Sequence, residues 1–285
     1  MRRGPAALSA TGSLPDGRAD LPVELLKALH LLTRDGRLNQ DARRKLKQVD
    51  HLLQFIETVV AGLPGRAGGV TLADHGAGKS YLGFLLYERL FKSASTGWIY
   101  GIETRAELVH RSRELATGLG FDRMRFLNLS AAQAIESDEL PARIDVVTAL
   151  HACDTATDDA IAFALDRQAA ALVLVPCCQA EIARALNAHK ALALSRTPLA
   201  ELWRHPLHTR EMGSQLTNVL RCLYLEARGY RVSVTELVGW EHSLKNELIV
   251  ARHTGQPRRS SEQRLRALLQ EFGLTSLIGV RFQLS

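Results

Sequence analysis

Asp74, Gly76 and Gly78 stand in the run VTLADHGAGKS, residues 70–80, directly after a β-branched apolar stretch. An acid followed by Gly-x-Gly at a strand end marks a nucleoside site, because glycine lets the backbone approach a ligand with no Cβ in the way. The same run ends in GKS, the last letters of a phosphate-cradling loop. That loop needs G-x-x-x-x-G-K-[ST], and the position of its first glycine holds Ala73. Without that glycine the N–H groups do not curl round a phosphate. The later apolar run IDVVTALHACD offers the magnesium-holding acid only as Asp154, after His151 and Cys153 intervene. A dinucleotide loop, G-x-G-x-x-G, would place Tyr81 at its third glycine, where helix and sheet pack closest. The residues therefore point to a nucleoside cofactor with no pyrophosphate to neutralise.

Glu103 fits that chemistry. It ends the second apolar run, GWIYGIE, about 25 residues beyond Gly78, where a carboxylate accepts bonds from both ribose hydroxyls, as in dinucleotide folds. S-adenosylmethionine needs this set and no third glycine. Asn128 or Ser130, after the third run MRFLNLS, is expected to face the adenine edge, and Leu150, closing the fourth run, joins the cofactor set. The competing reading makes Asp74 a helix cap and leaves Glu103 in water.

The elements that must position these residues are legible as periods. Residues 21–60 read as helical, with Leu25, Leu26, Leu29 and Leu32 on one face and then Leu46, Val49, Leu52, Leu53, Ile56 and Val60 at helical spacing. Arg43, Arg44, Lys45 and Lys47 are read as a solvated face or a basic binding face. From residue 70 strands alternate with helices. The strands VTLAD, GWIYGIE, MRFLNLS, ARIDVVTAL and AALVLVP are apolar almost throughout, as expected of a sheet covered on both faces. YRVSVTELV and ELIVAR follow with no helix between them, which predicts a terminal antiparallel hairpin. Ser260 and Gln263 read as a capping box opening a last helix. The expected fold is α/β and Rossmann-like, with a mostly parallel seven-stranded sheet, a terminal antiparallel hairpin and N-terminal helices. The expected organisation is a disordered tail over 1–20, an N-terminal helical extension over 21–65, the cofactor domain over 66–254 and a C-terminal helix with tail over 255–285.

Two motifs follow the fourth and fifth strands: LHACDTATDD and LVPCCQ. In an open α/β sheet both strand ends lie beside the ligand crevice. With DHGAGKSYLG and GWEHSLKNELIV, these runs resemble class I S-adenosylmethionine-dependent methyltransferases. The group in question has an H-x-C-[GD]-x-x-T-D-like motif after strand four and a Cys-Cys pair after strand five. It includes tRNA 2′-O-methyltransferases and the glutathione S-transferase C-terminal-domain-containing protein. The resemblance covers residues 45–252. It implies the fold above, S-adenosylmethionine as cofactor and RNA as acceptor. It departs at Asp154, where many relatives have glycine.

Several roles are open to the motif residues. Methyl transfer is an in-line displacement that needs alignment and, for a hydroxyl or amine acceptor, a base; His151 and Asp154 are the candidates. Cys178 is the candidate nucleophile, of the kind that attacks a pyrimidine ring. A zinc site from His151, Cys153, Cys177 and Cys178 is disfavoured, because adjacent cysteines chelate poorly round a tetrahedral ion. The plainest alternative makes Cys177 and Cys178 small buried fillers. His242, Lys245 and Asn246 in the last hairpin, and Trp203, Arg204, His205, His208 and Arg210 before the last long helix, are read as either substrate contacts or ordinary polar surface.

The totals bound the rest. The chain has 285 residues, net charge +6 and four cysteines, Cys153, Cys177, Cys178 and Cys222. No apolar run reaches the roughly 18–20 residues of a membrane span. Two adjacent cysteines argue against a disulfide framework as the organising device, so a cytoplasmic protein with no membrane association is expected. The positive charge favours an anionic partner such as RNA. A non-catalytic module that binds the cofactor or nucleic acid, or a methyltransferase acting on a protein or small molecule, is the alternative. Acceptor atom and oligomeric state are not written in the sequence.

Overall fold

The runs read as strands and helices form in that order. The computed structural model describes residues 23–29, 40–64, 68–94, 96–150, 152–176, 179–188, 198–237 and 247–284. The first half holds α1 (Val23–Ala28), α2 (Gln40–Ala61), β1 (Thr71–His75), α3 (Tyr81–Leu86) with a π turn at Tyr87–Phe91, β2 (Trp98–Glu103), α4 (Ala106–Leu119), β3 (Met124–Asn128) and α5 (Ala131–Glu136). The second holds β4 (Val146–Leu150), α6 (Ala156–Asp166), β5 (Ala171–Val175), α7 (Glu181–Ala188), a 3-10 turn at Pro198–Trp203, α8 (Pro206–Ala227), β6 (Tyr230–Glu236), β7 (Glu247–His253), α9 (Arg259–Glu271) and a 3-10 turn at Thr275–Leu277. The strand order is β3-β2-β1-β4-β5-β7-β6, that of a seven-stranded Rossmann-like sheet. β7 runs antiparallel to both β5 and β6, which is the terminal hairpin.

The chain divides into two compact units, residues 1–140 with 237–244 and residues 141–236 with 245–285. In the first, β2 pairs in parallel with β1 and with β3. Leu72, Phe84, Ile99, Ile102 and Phe126 are buried at its core. The N-terminal helices are part of this unit: Leu25, Leu26, Leu29, Leu52, Leu53 and Ile56 are buried. Arg89 in the π turn reaches back to α2, with Nη1 2.9 Å from Asp50 Oδ1 and Nε 2.8 Å from Glu57 Oε1. The α2 face departs from the sequence reading in its last turn. Val59 is buried and Val60 only half-buried, so the buried face steps three residues on from Ile56 rather than four.

In the second unit β4 and β5 pair in parallel and are buried almost throughout. β6 alternates little and stays largely exposed after Tyr230, as an edge strand does. The helix α9 begins without the predicted capping box. Its N-cap is Arg258, with no side-chain cap bond, and Ser261 Oγ donates instead to Glu226 Oε2 at 2.6 Å. A capping box does form at α5, where Ser130 Oγ accepts the Gln133 N–H and Gln133 Oε1 accepts the Ser130 N–H. Residues 1–20, together with the segment holding His242, Lys245 and Asn246, lie outside the described residues.

Candidate functional site

The loop between β1 and α3 is shaped by its glycines. Gly76 and Gly78 take φ of 69° and 58°, a left-handed conformation that side chains with a Cβ resist. The loop is held to the sheet by the Ala77 N–H, which donates to Ile102 O at 3.0 Å. Asp74 is 2% exposed in β1 and registers with Gly101 of β2. At the helix entry Ser80 also takes a positive φ, 53°, and its hydroxyl is buried without a hydrogen-bond partner. A hydroxyl so placed does not face a metal-bound phosphate, whereas Lys79 beside it is exposed.

Glu103 is the centre of this unit's polar geometry. It is 7% exposed and is not solvated, contrary to the competing sequence reading. Its Oε2 accepts the Gly78 N–H at 2.8 Å, tying the end of β2 to the glycine loop. Its Oε1 accepts the Arg105 backbone N–H at 3.0 Å. The Arg105 guanidinium adds Nε to Oε1 at 3.0 Å and Nη2 to Oε2 at 3.1 Å. Burial alone would raise the carboxyl, but the bonds from Arg105 and Gly78 outweigh it and hold it down at about 2. Beside it, burial lowers the His75 imidazole to about 4, against a smaller opposing pull from Glu103.

Asn128 ends β3 in register with Glu103. Its Nδ2 donates to Glu103 O at 3.0 Å and Thr104 O at 2.8 Å. Asn128 therefore fixes the backbone that carries Glu103, and Ser130 is engaged in the α5 capping box. Thus the first unit brings together Asp74, Gly76, Gly78, Glu103 and Asn128. Arg105 is the partner that sequence reasoning missed, although it stands only two residues after Glu103.

In the second unit, Leu150 closes β4, half-buried. Asp154 takes φ of 50°. Its Oδ1 accepts the N–H groups of Ala180 and Glu181, both at 2.9 Å, and its Oδ2 takes Arg184 Nη2 at 2.9 Å. Burial opposes ionisation there, and the N–H of Ala180, the Arg184 guanidinium and the N–H of Glu181 together lower the carboxyl. An aspartate so engaged holds the start of α7. Cys153 is exposed. His151, Cys177 and Cys178 lie outside the described residues.

Arg221, 1% exposed in α8, organises this unit and carried no sequence signal. It forms a bidentate pair with Asp158, Nε to Oδ1 at 2.9 Å and Nη2 to Oδ2 at 2.6 Å. Its Nη2 also donates to Asp154 O at 2.8 Å and its Nη1 to Asn218 Oδ1 at 3.2 Å. Asn218 continues to Glu247 Oε2 at 2.7 Å and accepts from Gln179 Nε2 at 3.1 Å. The segment after β4, the segment after β5 and the start of β7 are thus joined by one buried network. Cys222 next to Arg221 is a thiol that burial pushes up to about 12, far from a thiolate nucleophile.

The residues read as preceding the last long helix straddle its start, His208 and Arg210 lying inside α8, and they pair with their own neighbours. Arg204 Nη1 is 3.1 Å from Glu201 Oε2 and Arg210 Nε is 3.2 Å from Glu211 Oε1, all well exposed. The rings of His205 and His208 meet edge to face at 5.3 Å. Among the described residues no group of three or more His, Cys, Asp or Glu could hold a metal ion, and no helix is long and apolar enough to cross a membrane.

Residues 44–185 match the model of a methyltransferase-domain family, a span just under half of the chain. No curated protein matches. Among solved structures, the chain is similar to the magnesium protoporphyrin IX methyltransferase of Synechocystis PCC 6803, with S-adenosylhomocysteine bound in that structure. Identity is 14%, coverage 81% of this chain and 94% of that one, and the TM-score 0.46. A putative O-methyltransferase from Klebsiella pneumoniae gives 14% identity over 84% of this chain and 92% of that one, with a TM-score of 0.49. An rRNA methylase from Streptococcus thermophilus gives 11% identity, 72% and 93% coverage and a TM-score of 0.39.

Proposed function

We propose that the chain is an S-adenosylmethionine-dependent methyltransferase, with RNA as its acceptor. The observation that carries the cofactor reading is the bond from the Gly78 N–H to Glu103 Oε2 at 2.8 Å. It brings a glycine-opened backbone and a buried, ionised carboxylate to one place, the two features a ribose-bearing cofactor without a pyrophosphate requires. The matched methyltransferase segment, 44–185, contains Asp74, Gly76, Gly78, Glu103 and Asn128. These residues would hold the cofactor: Glu103 at the ribose, the Gly76–Gly78 backbone along the ligand, and Asn128 fixing the strand end beneath. When bound, the cofactor supplies a methyl group on a sulfonium.

On the acceptor side, His151 is the proposed base and Cys178 the proposed contact to the acceptor, with Asp154 positioning the α7 segment that follows Cys178. The RNA reading rests on the resemblance of LHACDTATDD and PCCQ and on the net charge of +6. Part of that charge is structural: Arg113 donates to Phe126 O at 2.6 and 2.8 Å, and Arg123 to Thr96 O at 2.7 Å.

Thermal unfolding with S-adenosylmethionine, S-adenosylhomocysteine, Mg-ATP and NAD tests the reading. A ligand at about 100 times its dissociation constant adds about 2.7 kcal/mol. Stabilisation by the two adenosyl compounds alone, lost in Asp74→Ala and Glu103→Ala, is the expected outcome. Stabilisation by Mg-ATP instead would restore GKS as the working motif. Transfer of a radiolabelled methyl group to total RNA, absent with a protein extract, is expected for the acceptor.

A further inference from the structure

Glu103 has more donors than a ribose-binding carboxylate can keep. An ionised carboxylate offers about four lone-pair positions. Here five donors converge on it: the Gly78 N–H at 2.8 Å, the Arg105 N–H at 3.0 Å, Arg105 Nε at 3.0 Å, Arg105 Nη2 at 3.1 Å and Thr104 Oγ1 at 3.3 Å. No acceptor site remains for two ribose hydroxyls. Two of the donors are backbone: Gly78 belongs to the glycine loop and Arg105 is the N-cap position of α4. They leave only if the loop or the helix start moves. The Arg105 side chain is different, because it is 67% exposed while the Glu103 side chain is 8% exposed. It can swing into water with no other change.

The geometry of that side chain matters as much as its mobility. Its Nε and Nη2 lie on different oxygens, the parallel two-point arrangement that guanidinium and carboxylate favour. A cis-diol presents two hydroxyl donors to the same two oxygens. The guanidinium also lies over the loop: a Cβ added to Gly78 would meet Arg105 Nη2 at 3.8 Å.

We propose that the Arg105 side chain is a self-ligand of Glu103, which a ribose diol must displace, so that Arg105 sets both the affinity and the diol selectivity of the cofactor site. The proposal rests on the cofactor reading above. With the rotatable Thr104 hydroxyl turned away from its 3.3 Å contact, removing the side chain leaves two acceptor positions open while both backbone donors remain. An exposed ion pair is weak, so the competition it exerts is modest, about two- to fivefold in dissociation constant.

Calorimetric titration of Arg105→Ala and the unaltered protein tests this with two probes: S-adenosylhomocysteine and its 2′,3′-dideoxy analogue. Both are net neutral, so loss of a positive charge near the site affects them alike. The expected result is two- to fivefold tighter binding of S-adenosylhomocysteine by the variant, with no gain for the dideoxy analogue. Unchanged or weaker binding of S-adenosylhomocysteine by the variant would overturn the proposal and leave the cofactor reading standing. An equal gain for both probes would also overturn it, since the diol would then be irrelevant. No binding of S-adenosylhomocysteine to either protein would remove the cofactor reading and this inference with it.

Discussion

Glu103 Oε2 accepts the N–H of Gly78 at 2.8 Å across 25 residues of chain. The bond closes the glycine loop onto the end of β2 and makes one construction of a turn and a strand end. Two ionisable groups with displaced titrations, Glu103 and His75, belong to that construction.

Their pH windows separate. His75 is held near 4 by burial, below its ordinary 6.5. The unfolded chain then binds a proton that the folded one refuses, so stability is lost as pH falls from 6.5 towards 4, on the order of 3 kcal/mol. Glu103 is held at about 2, below 4.5. Its contribution is present above 4.5 and is lost as pH falls towards 2. Urea unfolding at intervals from pH 7 to 3 should show the first loss before the second. In Glu103→Gln the second should vanish while the first persists. A His75 imidazole that titrates near 6.5 by NMR would contradict the first window.

The buried ion pair of α8 should be costly to break and cheap to replace. Arg221→Met leaves the Asp158 carboxylate without its bidentate partner, and is expected to cost about 3–5 kcal/mol. Adding Asp158→Leu should recover most of that. Chemical denaturation of the two single variants and the double variant reads the coupling; additive losses would mean that the pair is not the unit.

Asp154 should behave as a helix-start residue. Asp154→Ala removes the acceptor of two N–H groups and puts alanine at φ of 50°, with an expected loss of about 1–3 kcal/mol. Asp154→Asn keeps an oxygen for the N–H groups and tolerates that φ, so its loss should stay below about 1 kcal/mol. If methyl transfer by a well-folded Asp154→Asn fell a thousandfold, Asp154 would be the base after all.

The sequence by itself determined the sheet and the cofactor candidates. Strand ends, helix periods and Gly-x-Gly are local signals: burial on both faces makes β5 apolar throughout and β4 apolar but for Thr148, and a positive φ calls for glycine at 76 and 78. It placed Glu103 because an acid at the end of a strand is visible in a window of a few residues. Which side chains spend themselves on one another was decided only by tertiary structure. Ser130-x-x-Gln133 and Ser260-x-x-Gln263 carry the same capping pattern, yet only the first forms a capping box. At the second, Ser261 is drawn to Glu226, 35 residues away in sequence. Asp158 and Arg221 are 63 residues apart, and no periodicity links them. Arg105 is near Glu103 in sequence, but its two-point hold on the carboxylate follows from the backbone turn into α4. Hydrogen bonds of this kind act over about 3 Å. Only the folded chain brings the donors within that reach, and the sequence supplies them without saying which will meet.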